Sequence, residues 1–182
     1  MHVCIAGPMG SGKSTTAKII QDTLLFDDVI LLNQTTGIKT LMDELNYQKL
    51  PSRKVYQDVM EYFRELCGPD CHCRRTVQQV EKAAGKICVV DDVRQHNEMA
   101  VFKEHGFVSI GITAPDNLRA NRLFNRDGYD QTQFFTHPKE YEAMQVVKSC
   151  DFEVTNNGSI AQLKAHVRRI LNLIPKRDLS TS

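Results

Sequence analysis

The sequence predicts an α/β fold in which a parallel five-stranded sheet lies between layers of helices, and three observations predict it. Five short apolar runs, rich in Val and Ile, occupy residues 3–6, 29–32, 87–90, 108–113 and 152–154, and longer helical stretches separate them. A glycine-rich turn follows the first run and leads straight into a helical pattern. The chain has 182 residues, 41% hydrophobic and 25% charged, which suits one domain, 1–182, with a core of its own.

The elements follow in order. Residues 3–6 read as a buried strand rather than a signal peptide, because no basic segment precedes them. The helix at 13–24 sets Ala17, Ile20 and Leu24 on one face, and the helix at 54–66 sets Val55, Val59, Tyr62 and Leu66 on one face. The stretches 34–84 and 117–149 carry many charges and few strand signals, so they read as helical insertions at the functional edge of the sheet. The last helix has the clearest start. Asn157-Gly158 turns the chain, Ser159 caps, and Gln162 completes a capping box. Ile160, Leu163, Val167, Ile170 and Leu171 form its buried stripe, Pro175 stops it, and the tail to Ser182 is expected to fray.

Charge and cysteines narrow the class. With 23 Lys and Arg against 22 Asp and Glu, the net charge of +1 argues against a protein that coats nucleic acid or lies on a membrane. No run approaches the ~18 apolar residues that span a bilayer. Of the six cysteines, Cys4 and Cys88 sit in strand runs as small hydrophobes, and without an export signal the expected compartment is a reducing cytoplasm. Cys67, Cys71, His72 and Cys73 lack the second ligand pair of a zinc site, and adjacent residues cannot all face one tetrahedral ion. Packing or loop roles are the expectation for them, with zinc binding and redox sensing as the alternatives.

The turn after the first strand carries the sharpest motif. Gly7-Pro8-Met9-Gly10-Ser11-Gly12-Lys13-Ser14 fits the phosphate-loop pattern G-x-x-x-x-G-K-[ST] throughout, between a predicted strand and a predicted helix. Gly7, Gly10 and Gly12 let the backbone bring its N–H groups toward phosphates, and the helix N-terminus adds partial positive charge. Ser11 and Thr15 complete the phosphate-binding set. Lys13 is placed to reach the β- and γ-phosphates of ATP, and Ser14 to offer its hydroxyl to Mg²⁺. The bland alternative is a glycine-rich corner between strand and helix.

A second apolar run, 87–90, ends in Asp91-Asp92. In a phosphate-loop fold, a strand beside the first delivers an acid to the Mg²⁺ region, and Asp92 is the candidate. Asp92-Val93-Arg94 followed by Asn97-Glu98 closely resembles the signature segment of the deoxynucleoside monophosphate kinase family. Lys39 sits where that family has an acceptor-side lysine, and Arg53 with Gln57 resembles its arginine–glutamine helix. Gly68-Pro69-Asp70 resembles a loop before its next helix, and Cys71-His72-Cys73 stands where the family often carries an aromatic residue. Ala114-Pro115 with Arg119, Arg122 and Arg126 resembles its lid helix, His137 and Glu140 the end of the lid, and Asn156-Asn157-Gly158-Ser159 its last strand–helix turn.

The resemblance implies a three-layer phosphate-loop kinase fold, with 34–84 as an acceptor-binding helical insert and 115–149 as a lid. It implies transfer of the ATP γ-phosphoryl to a (deoxy)nucleoside monophosphate, with ATP and Mg²⁺ as cofactors and small nucleotides as partners. Lys39, Arg53, Gln57, Arg94 and Arg126 become acceptor-side candidates, Arg119 an ATP contact, and Lys13, Asp92, Arg94 and Arg122 the catalytic set.

Physical chemistry supports the arginines independently. Phosphoryl transfer needs positioning and positive charge, and Arg119, Arg122 and Arg126 fall on one helix face after the fourth strand. Their bland alternative is a solvated basic face. For Arg94 it is an ion pair with Glu98, and for Lys39 and Arg53 ordinary surface charge. Two other functions fit the same motifs: a kinase for another small acceptor such as dephospho-coenzyme A, and a nucleotide-binding regulatory ATPase. Oligomeric state is not legible in the sequence.

Overall fold

The computed structural model describes residues 1–24, 29–44, 53–128 and 130–174. Five strands form one sheet: β1 (His2–Ala6), β2 (Val29–Leu32), β3 (Ile87–Val93), β4 (Phe107–Thr113) and β5 (Phe152–Thr155). Their order is β2-β3-β1-β4-β5, and every pair is parallel. The helices are α1 (Lys13–Thr23), α2 (Thr36–Glu44), α3 (Arg53–Cys67), α4 (Cys71–Lys82), α5 (His96–Glu104), α6 (Asp116–Asp127), α7 (Pro138–Val147) and α8 (Ile160–Leu173), with a 3₁₀ turn at Thr132–Phe134. This is the predicted three-layer phosphate-loop fold.

Strand alternation builds the layers. Val3 and Ile5 face one way, with Val89, Ile110, Ile112 and Val154, and pack under α1 and α8 through Ala17, Ile20, Leu163 and Val167. Cys4 and Ala6 face the other way, with Cys88 and Val90, and pack under α4, α5 and α7 through Val77, Phe102 and Val146. Both faces are covered, which is why the strands read as continuous apolar runs.

The structure corrects three expectations. First, β3 runs to Val93, so Asp91 and Asp92 lie within the strand and not beyond its end. The ladder continues because the Gly7 N–H donates to the Val93 carbonyl at 3.3 Å, past an irregularity in the β1–β3 register. Second, Tyr62 and Leu66 are exposed on α3. That helix packs through Phe63, whose ring meets His72 of α4 edge-on at 6.3 Å. Third, Ile160 is exposed. It is the first residue of α8, inside the predicted Ser159–Gln162 capping box, and core contact begins one turn later at Leu163. Pro175 and the tail lie outside the described residues.

Candidate active site

Two glycines show why the loop after β1 has this composition. A Cβ on Gly7 would stand 2.2 Å from the Ile112 carbonyl oxygen, a backbone atom that cannot swing aside. Gly12 has φ +107°, and a Cβ there would meet Asn156 Nδ2 at 2.4 Å. That same Nδ2 donates to the Ser11 carbonyl at 2.8 Å, so the β5–α8 turn grips the loop where only glycine leaves room.

The loop opens into α1, whose first turn carries no acidic residue. The first N–H groups of a helix have no intrahelical acceptor, so they and the helix dipole favour an anion here. Ser14 and Thr15 lie exposed at this end. Lys13, placed by the sequence to reach phosphates, is buried. Its Nζ donates to the Gly7 and Pro8 carbonyls at 2.6 and 2.9 Å. Burial, then the Arg94 guanidinium, hold its pKa well below the usual lysine value, against the pull of Glu140, Asp91 and Asp92. The loop's own carbonyls therefore stand in for the phosphate oxygens that a bound nucleotide would offer this cation.

The acids of β3 sit beside the segment after β2. Asn33 Nδ2 donates to Asp91 Oδ1 at 3.1 Å, and the Gln34 N–H donates to Asp92 Oδ2 at 2.9 Å. The other oxygen of Asp92, Oδ1, is buried with no hydrogen-bond partner among the described residues, and so is the Ser11 hydroxyl. Burial first, then the Asp91 and Glu98 charges, push the Asp92 carboxyl up to about 7. A hard cation takes oxygen ligands and commonly only one or two from the protein, the rest from phosphates and water. The orphaned Asp92 oxygen and the exposed Ser14 hydroxyl fit that donor set for Mg²⁺, and the helix start with Lys13 fits the phosphates.

A carboxylate from α7 organises the arginines. Glu140 is buried, and its Oε2 accepts from the Met9 N–H and from Arg119 Nη2, both at 2.8 Å. Its Oε1 accepts from Arg94 Nη1 at 2.5 Å. Arg119 also donates through Nε to the Met9 carbonyl at 2.7 Å and pairs with Asp116, with its guanidinium 4.1 Å from the Phe135 ring centroid. Every edge of Arg119 is thus engaged by protein, so it clamps the loop, where an open contact for ATP was expected. Arg94 pairs with Glu140, not with Glu98. Glu98 Oε2 instead accepts the Arg94 and Gln95 backbone N–H groups, starting α5 with a capping box.

The other candidates divide. Arg122 Nη2 donates to the Asn156 carbonyl at 3.0 Å, and Nη1 reaches the Gly10 carbonyl at 3.4 Å, so it borders the loop. Arg126 is exposed and pairs with Asp127. Lys39 is exposed on α2. Arg53 and Gln57 lie on α3, but their side chains fall outside what the structure describes. The thiols have local partners. Cys73 Sγ donates to the Asp70 carbonyl at 3.1 Å and Cys71 Sγ to Phe63 at 3.5 Å, while His72 Nε2 meets the Met60 carbonyl at 2.9 Å. Burial pushes the Cys73 thiol up to about 12. Among the described residues, no three His, Cys, Asp or Glu side chains could jointly hold a metal.

Sequence reasoning did not assign Glu140 or Gln34 a site role. A signal for Glu140 existed: it shares its helix face with Ala143 and Val147, both buried, so a carboxylate there has to find buried partners. Beside the acids, α2, α3 and α4 enclose a cavity of about 220 Å³, walled by Ile38, Leu41 and Phe63 and edged by Gln34, His72 and Arg75.

Comparison with known proteins supports the fold. The chain is 26% identical over 186 residues to a UPF0200 protein of Methanoculleus marisnigri, covering 96% of this chain and 97% of the relative. It is 26% identical over 152 residues to the cytidylate kinase of Haloarcula marismortui, covering 84% of this chain and 72% of that one. The fold matches shikimate kinase of Aquifex aeolicus with a TM-score of 0.56 at 15% identity, covering 94% of this chain and 96% of that one. Among the described residues, no helix is long and apolar enough to cross a membrane. A family model described as an AAA domain matches residues 3–148, and the chain belongs to that family.

Proposed function

We propose that the protein is an ATP-dependent phosphotransferase that moves the γ-phosphoryl to the phosphate of a (deoxy)nucleoside monophosphate. One observation carries the reading. The phosphate loop and two arginines from separate elements meet around one buried carboxylate, Glu140, while Arg122 borders the same loop and one of the two arginines, Arg94, lies within charge range of the half-partnered acid of β3. Such a concentration of fixed cations at a helix N-terminus suits a reaction governed by positioning and charge. The cytidylate kinase among its relatives supports a nucleotide acceptor.

Each residue has a role on this reading. The backbone N–H groups at 10–15 cradle the donor phosphates. Lys13 leaves the Gly7 and Pro8 carbonyls for the β- and γ-oxygens. Ser14 and Asp92 would hold Mg²⁺, which would supply positive charge to offset that of the phosphates. Arg94, oriented by Glu140 beside Asp92, holds the acceptor phosphate. Arg122 covers the transferring group from the lid at 115–149, and Arg119 fixes Met9 beneath it. The insert at 34–84 takes the acceptor, with Lys39, Arg53 and Gln57 on its helices. Partners on this reading are small nucleotides, with neither nucleic acid nor membrane required, and the setting is the cytoplasm.

The test is ADP formation from ATP and Mg²⁺ against a panel of ribo- and deoxynucleoside monophosphates plus dephospho-coenzyme A. Stimulation by a nucleoside monophosphate supports the reading. Stimulation by dephospho-coenzyme A alone moves the acceptor class, and ADP release indifferent to every acceptor points to a regulatory ATPase.

A further inference from the structure

Two polar side-chain groups at the cavity between α2, α3 and α4 have no hydrogen-bond partner among the described residues. Gln34 is 2% exposed and forms part of the cavity wall, and its Oε1 is buried with no hydrogen-bond partner among the described residues. A buried amide oxygen without a partner costs stability, so such a group calls for an unseen donor. Arg75 stands at the same cavity with no hydrogen-bond or ion-pair partner among the described residues. Its guanidinium lies against Gly37, where a Cβ would come within 2.6 Å of Arg75 Cζ, so the glycine makes the room that lets the guanidinium lie there. Ile38, Leu41 and Phe63 form the apolar part of the wall, and His72, whose Nε2 meets the Met60 carbonyl, completes its edge with Cys67 and Cys71.

We propose that this cavity binds one planar nitrogen heterocycle of the acceptor, and that Gln34 and Arg75 select a ring with a lactam edge, an N–H beside a carbonyl. The inference rests on the nucleotide-acceptor reading above and deepens it. The Gln34 amide turns toward the ring, and its Oε1 takes the ring N–H. The Arg75 fork donates to the ring carbonyl, whose two lone pairs suit it better than the single lone pair of a ring nitrogen. The volume is below the ~300 Å³ at which pockets for whole drug-sized ligands begin, so it suits a ring and not a ring with sugar and phosphate. Position agrees: the Gln34 backbone N–H is bonded to Asp92, so the ring would sit next to the acid while sugar and phosphate extend toward Arg94.

The experiment compares wild type, Gln34→Leu and Arg75→Ala with guanine, uracil and thymine monophosphates (lactam edge) and with adenine and cytosine monophosphates (amino edge). It reads acceptor and ATP KM and the melting shift that each nucleotide produces without ATP. Wild type should favour the lactam-edged acceptors by roughly tenfold or more in kcat/KM, the scale of one buried polar group left unsatisfied. Gln34→Leu should abolish that preference and the matching melting shift, leave ATP KM unchanged, and keep the ligand-free melting temperature at or above wild type. Arg75→Ala should weaken the lactam-edged acceptors most and leave the fold intact, which keeps the test valid if the leucine variant unfolds. If nucleoside monophosphates are phosphorylated but neither variant alters preference or melting shift, the ring site is wrong and the function stands. If ATP stabilises the protein but no nucleoside monophosphate accepts phosphate, both fall.

Discussion

Glu140 Oε2 accepts the Met9 backbone N–H at 2.8 Å across 131 residues of sequence, so a helix near the end of the chain sets the shape of the loop near its beginning. The same carboxylate neutralises Arg94 and Arg119, both within 2.8 Å. Replacing it by glutamine preserves shape and still accepts the Met9 proton, but leaves two guanidiniums uncompensated. Removing one partner of a buried ion pair costs about 3 kcal/mol or more. Glu140→Gln should therefore lower the urea midpoint by that order and reduce kcat. An unchanged midpoint would mean that the pairs contribute nothing to stability.

Lys13 carries the donor phosphates on our reading. Lys13→Met, which keeps the stem that fills the buried site, and Lys13→Ala should both lose turnover by roughly 10²–10³-fold, the scale for one electrostatic donor. Stability should not fall with methionine, because folding buries this cation at a cost. Full turnover in either variant, measured as ADP release, refutes the phosphate-loop role.

Arg94 sits between Glu140 and the strand acid. Arg94→Ala should raise the acceptor KM more than the ATP KM in steady-state kinetics with each substrate varied. Equal changes, or none, would make Arg94 a structural partner of Glu140 only.

Arg122 reaches both Asn156 and Gly10, at the two sides of the loop. Lysine keeps the charge but cannot span both carbonyls with a planar fork. Arg122→Lys should slow the transfer step by roughly tenfold, about 1.4 kcal/mol, in pre-steady-state measurements at saturating acceptor. An unchanged transfer rate returns this arginine to a plain surface role.

The pH dependence of stability isolates Asp92. Its carboxyl ionises near 3.8 when unfolded and at about 7 when folded. Between those values the folded state keeps a proton that the unfolded state has lost, so stability falls as pH rises from 4 to 7 and the loss is complete above 7. Asp92→Asn should remove that slope and be the more stable protein at pH 8, by on the order of a few kcal/mol. Denaturant titrations of both proteins at pH 5 and pH 8 check it. Parallel pH slopes would show that Asp92 is hydrated and ionised in the ligand-free fold. Mg²⁺ should raise wild-type stability at pH 8 and spare the asparagine variant.

The sequence by itself determined what neighbouring residues decide. The phosphate loop is eight consecutive residues whose glycines and helix start specify local backbone geometry, and the Ser159–Gln162 box closes over three residues. The five strands were legible because both sheet faces are buried, which leaves continuous apolar runs. Only the tertiary structure decided which distant elements meet. Pattern placed Tyr62 and Leu66 inward, but α3 turns Phe63 to its neighbour instead. Arg94 had Glu98 four residues away as the obvious partner, yet the side chain of Glu98 is occupied by backbone N–H groups and by Arg64, and Arg94 reaches Glu140 on another helix. The place of Lys13 after Gly12 was legible but its burial was not, because its amine is held by the Gly7 and Pro8 carbonyls only once the loop has folded back on it. A charge's type is written in the sequence, but its partner and its solvation are set by packing between elements far apart along the chain.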